Sequence, residues 1–198
     1  MRTQRMQLPK LTLVLSILFL ACKPQAKKSD ALVVPPLPAD YNTLDLSSSG
    51  ISGTIKVPAG ATAEKSTLSD NEGTRPYVII RPFAIPSDAA DATRTIQAKL
   101  EIYSTKLPFD KHKESIRFRP TIGWKSWLAE EPGFIVFTAR PGNPIGQPIR
   151  EKDAAIYHFL MIRKAKDGGQ YLIGTSSAMD FTRDEMLKLL AIAKSLEL

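Results

Sequence analysis

The stretch AAIYHFLMIRKAKDGGQYLIGTSSA, residues 154–178, decides the fold class. Two apolar segments rich in aliphatic and aromatic residues flank the tripeptide Asp167-Gly168-Gly169. Short glycine-containing loops between apolar segments are typical of β-hairpins. We therefore predict two antiparallel strands joined by this turn.

Four earlier segments also have strand character, because apolar residues alternate with polar ones or form short runs. They are ISGTIKV (51–57), RPYVIIRPF (75–83), TRTIQAKLEIYST (93–105) and GFIVFTAR (133–140). The prolines at both ends of 75–83 favour a position near the edge of a sheet. About six strands with short connections predict an antiparallel sheet.

A helix is predicted over TIGWKSWLAEE (121–131), where Trp124, Trp127 and Leu128 follow the i, i+3, i+4 spacing of a helix face. The two tryptophans either pack against the sheet or form a stacking platform for a ring-containing ligand. The pattern also allows a short helix over DKHKESIRFR (110–119).

A second helix is predicted over TRDEMLKLLAIAKSLEL (182–198). It begins with the capping box Thr182…Glu185 and continues with one apolar stripe. The expected fold class is therefore α+β, an antiparallel sheet of about six strands packed with two or three helices.

The amino terminus has the composition of a signal peptide. Residues 1–10 carry three basic side chains and no acidic one, and residues 11–21 are almost entirely apolar. Eleven helical residues span about 16 Å, which is too short for the ~30 Å hydrocarbon core of a bilayer. The segment 1–21 is therefore predicted to be a secretory signal peptide.

The chain has one cysteine, Cys22, directly after this apolar run. The sequence Phe19-Leu20-Ala21-Cys22 resembles the lipobox of bacterial lipoproteins, in the looser form of spirochaetes. The resemblance implies cleavage after Ala21 and attachment of diacylglyceryl and palmitate-type acyl chains to Cys22, which suffices for stable membrane anchoring. Lys23, in place of an aspartate, favours the outer membrane. The alternative is an incidental cysteine at the end of an ordinary signal peptide.

Residues 22–49 are rich in proline and serine and show no sustained period, which predicts a flexible tether. Its one apolar patch, ALVVPPL (31–37), is suited to docking on the domain. Residues 50–198 are expected to form a single globular α+β domain.

The order of segments in this domain resembles a known family. An early strand GTIKVPAGA is followed by FDKHKESI…WKSWLAEEPGFIVFTA, by the hairpin, and by a terminal helix closing on AKSL. This layout, over residues 50–198, is similar to bacterial lipoproteins and periplasmic proteins with a Mog1/PsbP-like α/β/α sandwich. The resemblance implies a non-enzymatic binding or assembly factor. It carries over no functional residues, because the family has no shared catalytic motif.

Of the formal net charge of +7, three charges lie in residues 1–10 and the remaining +4 lies in residues 99–125, where seven basic residues face three acidic ones. Five of these cations have phenylalanines between them and are predicted to form a binding surface for an anionic partner: Lys106, Lys111, Lys113, Arg117 and Arg119. In an envelope protein the partner would be lipid head groups, lipopolysaccharide, peptidoglycan, a host polysaccharide or an acidic protein. Nucleic acid is disfavoured by location. The alternative is a solvated face that keeps the domain soluble.

The sequence contains no phosphate-binding glycine loop, no nucleophile elbow and no zinc-binding helix motif, so no cofactor or metal is expected. A serine hydrolase could use Ser176 or Ser177 with His158 and Asp180. However, His158 alternates with apolar residues, which favours a core histidine. His112 lies among charged residues and is expected to face solvent.

These observations favour a lipid-anchored protein of the bacterial cell envelope with a non-enzymatic binding or structural domain. The alternatives are an exported hydrolase that uses His158, and a carrier with a ligand cavity between the sheet and the helices.

Overall fold

The computed structural model describes residues 32–70, 72–86, 95–119, 122–140, 155–176 and 179–198. Within these ranges the chain forms nine strands, two α-helices and one 3-10 turn. In chain order the elements are β1 (Asn42–Asp45), the 3-10 turn (Ser47–Ser49), β2 (Thr54–Val57), β3 (Thr62–Asp70), β4 (Gly73–Pro86), β5 (Thr95–Ser104), α1 (Phe109–Phe118), β6 (Trp124–Glu131), β7 (Phe134–Ala139), β8 (Ile156–Lys164), β9 (Gln170–Thr175) and α2 (Arg183–Lys194). The fold class is α+β, as predicted.

Seven strands form one antiparallel sheet in the order β3-β4-β5-β9-β8-β7-β6, and β1 pairs with β2 in a second, small sheet. The predicted hairpin is confirmed as β8 and β9, and the Gly169 N–H donates to the Asp167 carboxylate at 2.8 Å in its turn. The expected number of about six strands is too low. All six predicted strands are present, and β1, β3 and β6 are additional.

The segment 75–83 lies near an edge, as predicted: β4 is the second strand of the sheet and pairs with the edge strand β3 on one side and with β5 on the other. Its prolines are tolerated for local reasons. Pro76 precedes Tyr77, where pairing with β5 begins, and Pro82 lies in the register shift between Ile80 and Phe83. Neither proline interrupts regular pairing on both sides of β4, so both are compatible with a strand that has partners on each side.

One face of the large sheet packs against α2 and the small sheet. Val136 and Phe159 of the sheet share a buried core with Leu189 and Leu190 of α2. The predicted capping box of α2 is confirmed: the Thr182 N–H donates to the Glu185 carboxylate at 2.7 Å, and the Glu185 N–H donates back to the Thr182 hydroxyl at 3.3 Å.

The opposite face packs against α1. Alternate residues of a strand point to opposite faces, so Ile135 and Phe137 lie on the other side from Val136. They form a second core with Leu160 and with Ile116 of α1. The sheet is therefore the middle layer of three.

The helix predicted over 121–131 is wrong, since this segment is the edge strand β6. Trp124 pairs with Ala139 and Trp127 pairs with Phe137, because a register shift inserts one extra residue between the tryptophans. Their partners are two residues apart, so both tryptophans lie on one face of the strand. The bulge thus gives a strand the i, i+3 spacing that is typical of a helix.

The chain packs on the domain earlier than residue 50. Leu46 is fully buried, Leu44 of β1 pairs with Ile55 of β2, and the apolar patch around Leu32 and Val34 lies against the main core. The predicted docking of that patch is therefore confirmed. Residues 22–31 of the expected tether, the signal peptide and Cys22 lie outside the described residues.

In the part of the chain that the structure describes, no helix combines the length and the apolar character needed to cross a bilayer.

Candidate ligand-binding cleft

A cleft of about 610 Å³ lies between α1 and the part of the sheet that α1 does not cover. Its apolar end is formed by side chains of the second core, among them Ile116, Phe137 and Leu160. Its polar end is formed by the β3–β4 turn, by β4 and β5, and by the side of α1 that faces them. The cleft therefore has an apolar half and a polar half.

The ion pair between Glu72 and Arg75 forms one wall of the polar half, and both side chains are less than a tenth exposed. Glu72 also accepts hydrogen bonds from the Lys106 N–H at 2.7 Å and from the Thr105 hydroxyl at 2.9 Å. Burial opposes ionisation of Glu72, but the bonds from Arg75, Lys106 and Thr105 outweigh it and lower its pKa to about 2. An ionised Glu72 thus fixes the loop that leads into α1.

Two tyrosines line the same half, Tyr77 from β4 and Tyr103 from β5, with ring centroids 6.3 Å apart. Burial, followed by the nearby Glu101 carboxylate, raises the pKa of both hydroxyls, that of Tyr103 to about 12. Both remain protonated at neutral pH. The Tyr77 hydroxyl donates to the Glu101 carboxylate. The Arg75 guanidinium lies over the Tyr103 ring at 5.5 Å.

His112 does not face solvent, contrary to expectation. It is 9% exposed, and its Nε2 lies 2.9 Å from the Thr105 hydroxyl. Phe109, His112 and Ile116 follow the i, i+3, i+7 spacing of one helix stripe, and that stripe packs towards the sheet. This spacing is present in the sequence, but the charged residues on either side of His112 favoured a solvent-facing position.

The predicted basic surface is not one surface, because α1 divides it. Lys111 and Arg119 lie in the row i, i+8 that lines the cleft, together with Ser115 between them. Lys113 and Arg117 lie in another row, directed towards β6. The two rows cannot contact one compact ligand together.

On the β6 side, Lys113 pairs with Glu130 of β6 and with Asp110 at 3.7 Å. The Arg117 guanidinium lies over the Trp124 ring at 5.4 Å. Trp124 in turn contacts Trp127 with ring centroids 5.2 Å apart. The tryptophans therefore belong to the second core, and their packing interpretation is confirmed.

On the cleft side, Lys111 pairs with Glu114 at 2.9 Å. Arg119 is exposed, and its Nη2 donates to the Ser115 hydroxyl at 3.4 Å. Among the described residues no carboxylate lies within ion-pair distance of Arg119. Lys106 is exposed beside the loop that Glu72 holds. Arg119 is thus the cation of the cleft whose charge the described residues leave unbalanced.

His158 is a core histidine, 2% exposed. Its Nδ1 lies 3.0 Å from the Thr175 hydroxyl, and its ring contacts Phe137 and Phe181. Ser176 is buried at 3% exposure, and Ser177 lies outside the described residues.

Within the described segments, no group of three histidine, cysteine or acidic side chains is placed to hold a metal ion. No protein-family model, curated protein or solved structure matches the chain.

Proposed function

We propose that this chain is a non-enzymatic, lipid-anchored protein of the bacterial envelope whose domain binds a small ligand in the cleft beside α1. The cleft itself carries the proposal. Its volume of about 610 Å³ lies in the range of small-molecule sites. Such sites combine an apolar lining with a few convergent polar groups, and this cleft has both.

The anchor and the location rest on the amino-terminal sequence. Cleavage after Ala21 would leave Cys22 as the lipidated first residue, and Lys23 favours the outer membrane. The three-layer arrangement, with one antiparallel sheet between α1 and α2, supports the likeness to Mog1/PsbP-like sandwich proteins. Mass measurement of the amino-terminal fragment, for wild type and Cys22→Ala, tests the anchor.

The burial of His158 supports a binding protein over a hydrolase. A general base must reach the proton that it abstracts, whereas this ring is 2% exposed and its Nδ1 lies against the Thr175 hydroxyl. If the hydrolase alternative is correct, His158→Ala abolishes turnover of an ester substrate and leaves the fold intact. Our proposal expects loss of stability instead.

An anionic envelope or host macromolecule remains a second candidate partner. The observation that favours it is the exposure of Lys106, Arg117 and Arg119. Binding to anionic vesicles that persists unchanged after charge reversal of all three residues, or that is insensitive to salt, would contradict this candidate.

Binding in the cleft is tested by filling it. Ser115→Trp places a large side chain inside the cleft, and Phe118→Trp is its control, because Phe118 is 72% exposed on the outer side of α1. We expect the neutral compound naphthalene-2-carboxamide to bind wild type and Phe118→Trp in isothermal titration calorimetry, and to lose affinity for Ser115→Trp. Equal affinity for all three would show that the compound binds elsewhere.

A further inference from the structure

The polar half of the cleft contains more uncompensated positive than negative charge. Its two carboxylates are both engaged: Glu72 pairs with Arg75, and Glu101 pairs with Lys99 at 3.3 Å and accepts a hydrogen bond from the Tyr77 hydroxyl. Arg119 is the lining cation without a carboxylate partner among the described residues. The electrostatic potential at the mouth of the cleft should therefore favour an anion.

The neutral polar groups of this half point to the same kind of ligand. The Tyr103 side chain is a phenol that stays protonated, and Ser115 adds another hydroxyl beside Arg119. Hydroxyl donors next to a guanidinium can solvate an anionic oxygen with charge-assisted hydrogen bonds. A cationic ligand would meet acceptors that are already occupied.

The apolar half adjoins the polar half, since Ile116 follows Ser115 in α1 and lines the same cleft. Ile116 is 8% exposed and Leu160 is 8% exposed, and Ile122 and Phe137 line the same end. A ligand that places only a charged group at Arg119 would leave this surface in contact with water. A ligand with an apolar body would cover it and gain hydrophobic free energy.

We propose that the cleft binds a small amphipathic anion, with its carboxylate-type group at Arg119 and Ser115 and its aromatic or aliphatic body on Ile116 and Leu160. This inference rests on the proposed function, since it names the ligand class of the same cleft. The divided basic surface supports it, because only the row containing Arg119 faces the cleft.

The test compares two compounds of nearly equal shape that differ in charge, naphthalene-2-carboxylate and naphthalene-2-carboxamide. Their affinities for the full-length protein are measured by isothermal titration calorimetry. We expect the carboxylate to bind wild type on the order of tenfold more tightly than the carboxamide. Arg119→Gln should remove this difference and leave carboxamide binding unchanged.

Arg117→Gln is the matched control. It removes the same charge two residues away, on the side of α1 that faces β6. The preference for the carboxylate should persist in this variant. An equal loss of this preference in Arg117→Gln and Arg119→Gln would overturn the proposal. It would indicate non-specific electrostatic attraction instead of a defined binding position at Arg119.

The failures of the two proposals are distinguishable. If the carboxylate and the carboxamide bind wild type equally and Ser115→Trp weakens both, the cleft binds ligands but the anion preference is wrong. If neither compound binds wild type, both proposals are overturned.

Discussion

Protonation of His158 should destabilise the fold as the pH is lowered. The ring is 2% exposed, lies 5.4 Å from the Phe137 ring and 6.1 Å from the Phe181 ring, and has Thr175 as its hydrogen-bond partner. Burial lowers its pKa from 6.5 to about 4. Among the described residues His158 has no carboxylate partner, so an imidazolium in this place would lose its hydration without gaining an ion pair.

The direction of this pH effect on stability follows from which state, folded or unfolded, protonates His158 first. The unfolded chain protonates His158 near pH 6.5, and the folded chain only near pH 4, so the unfolded state gains the proton first. The stabilisation is complete above pH 6.5 and is lost as the pH falls from 6.5 to 4. Between pH 7 and pH 4.5 the loss amounts to about 2.4 kcal/mol in the free energy of unfolding.

The assay is urea denaturation at half-unit steps from pH 7 to pH 4.5, for wild type and for His158→Gln. The difference between the two free energies of unfolding should shrink by about 2.4 kcal/mol over this range. His112 is present in both chains, so its own titration cancels from the difference. A constant difference would refute the reasoning, because it would mean that His158 is charged or solvated in the folded state.

Three further predictions concern the packing around the cleft and the sheet, and each is measured by urea denaturation at pH 7. Glu72→Gln weakens the compensation of the buried Arg75 guanidinium and should cost about 3 kcal/mol; a loss under about 1 kcal/mol would mean that the loop before α1 is held without this carboxylate. Gly174→Ala brings a methyl group 2.7 Å from a backbone oxygen of β8 and should cost about 1–3 kcal/mol; unchanged stability would show that β8 yields readily. Ile116→Ala, at 8% exposure, should cost about 2–4 kcal/mol, whereas Phe118→Ser, at 72% exposure, should change stability by no more than about 0.5 kcal/mol; equal effects would contradict the orientation of α1.

Regular local patterns were predictable from the sequence. The hairpin around Asp167-Gly168-Gly169 and the capping box at Thr182 depend on residues within a few positions of one another, and both form as predicted. The α+β class follows from such elements. Their contacts are short in sequence, so tertiary context had little opportunity to override them.

The largest error of the sequence-based prediction, a helix in place of strand β6, comes from irregular strand pairing. Trp124 and Trp127 have helical spacing, yet the bulge between them lies in a strand whose pairing with β7 determines its conformation. Strand β3, with the sequence TAEKSTLSD, was missed because it is an edge strand with few apolar residues. In both cases the partner strand decides the structure, and a local window does not contain the partner.

The cleft itself could not have been found by any local pattern, because its walls come from segments far apart in the sequence. Seven strands about 4.8 Å apart make a sheet about 29 Å wide, whereas α1 is about 10 Å across and, at ten residues, about 15 Å long. The apolar stripe of α1 packs on β7, β8 and β9 and reaches β5 at Tyr103, so it leaves only part of the face of β4 and β5 covered. That open face carries Tyr77 and Tyr103, and the end of the helix carries Arg119 beside them. The cleft is thus a consequence of how narrow α1 is relative to the sheet, and its charge depends on which row of α1 turns towards the open strands.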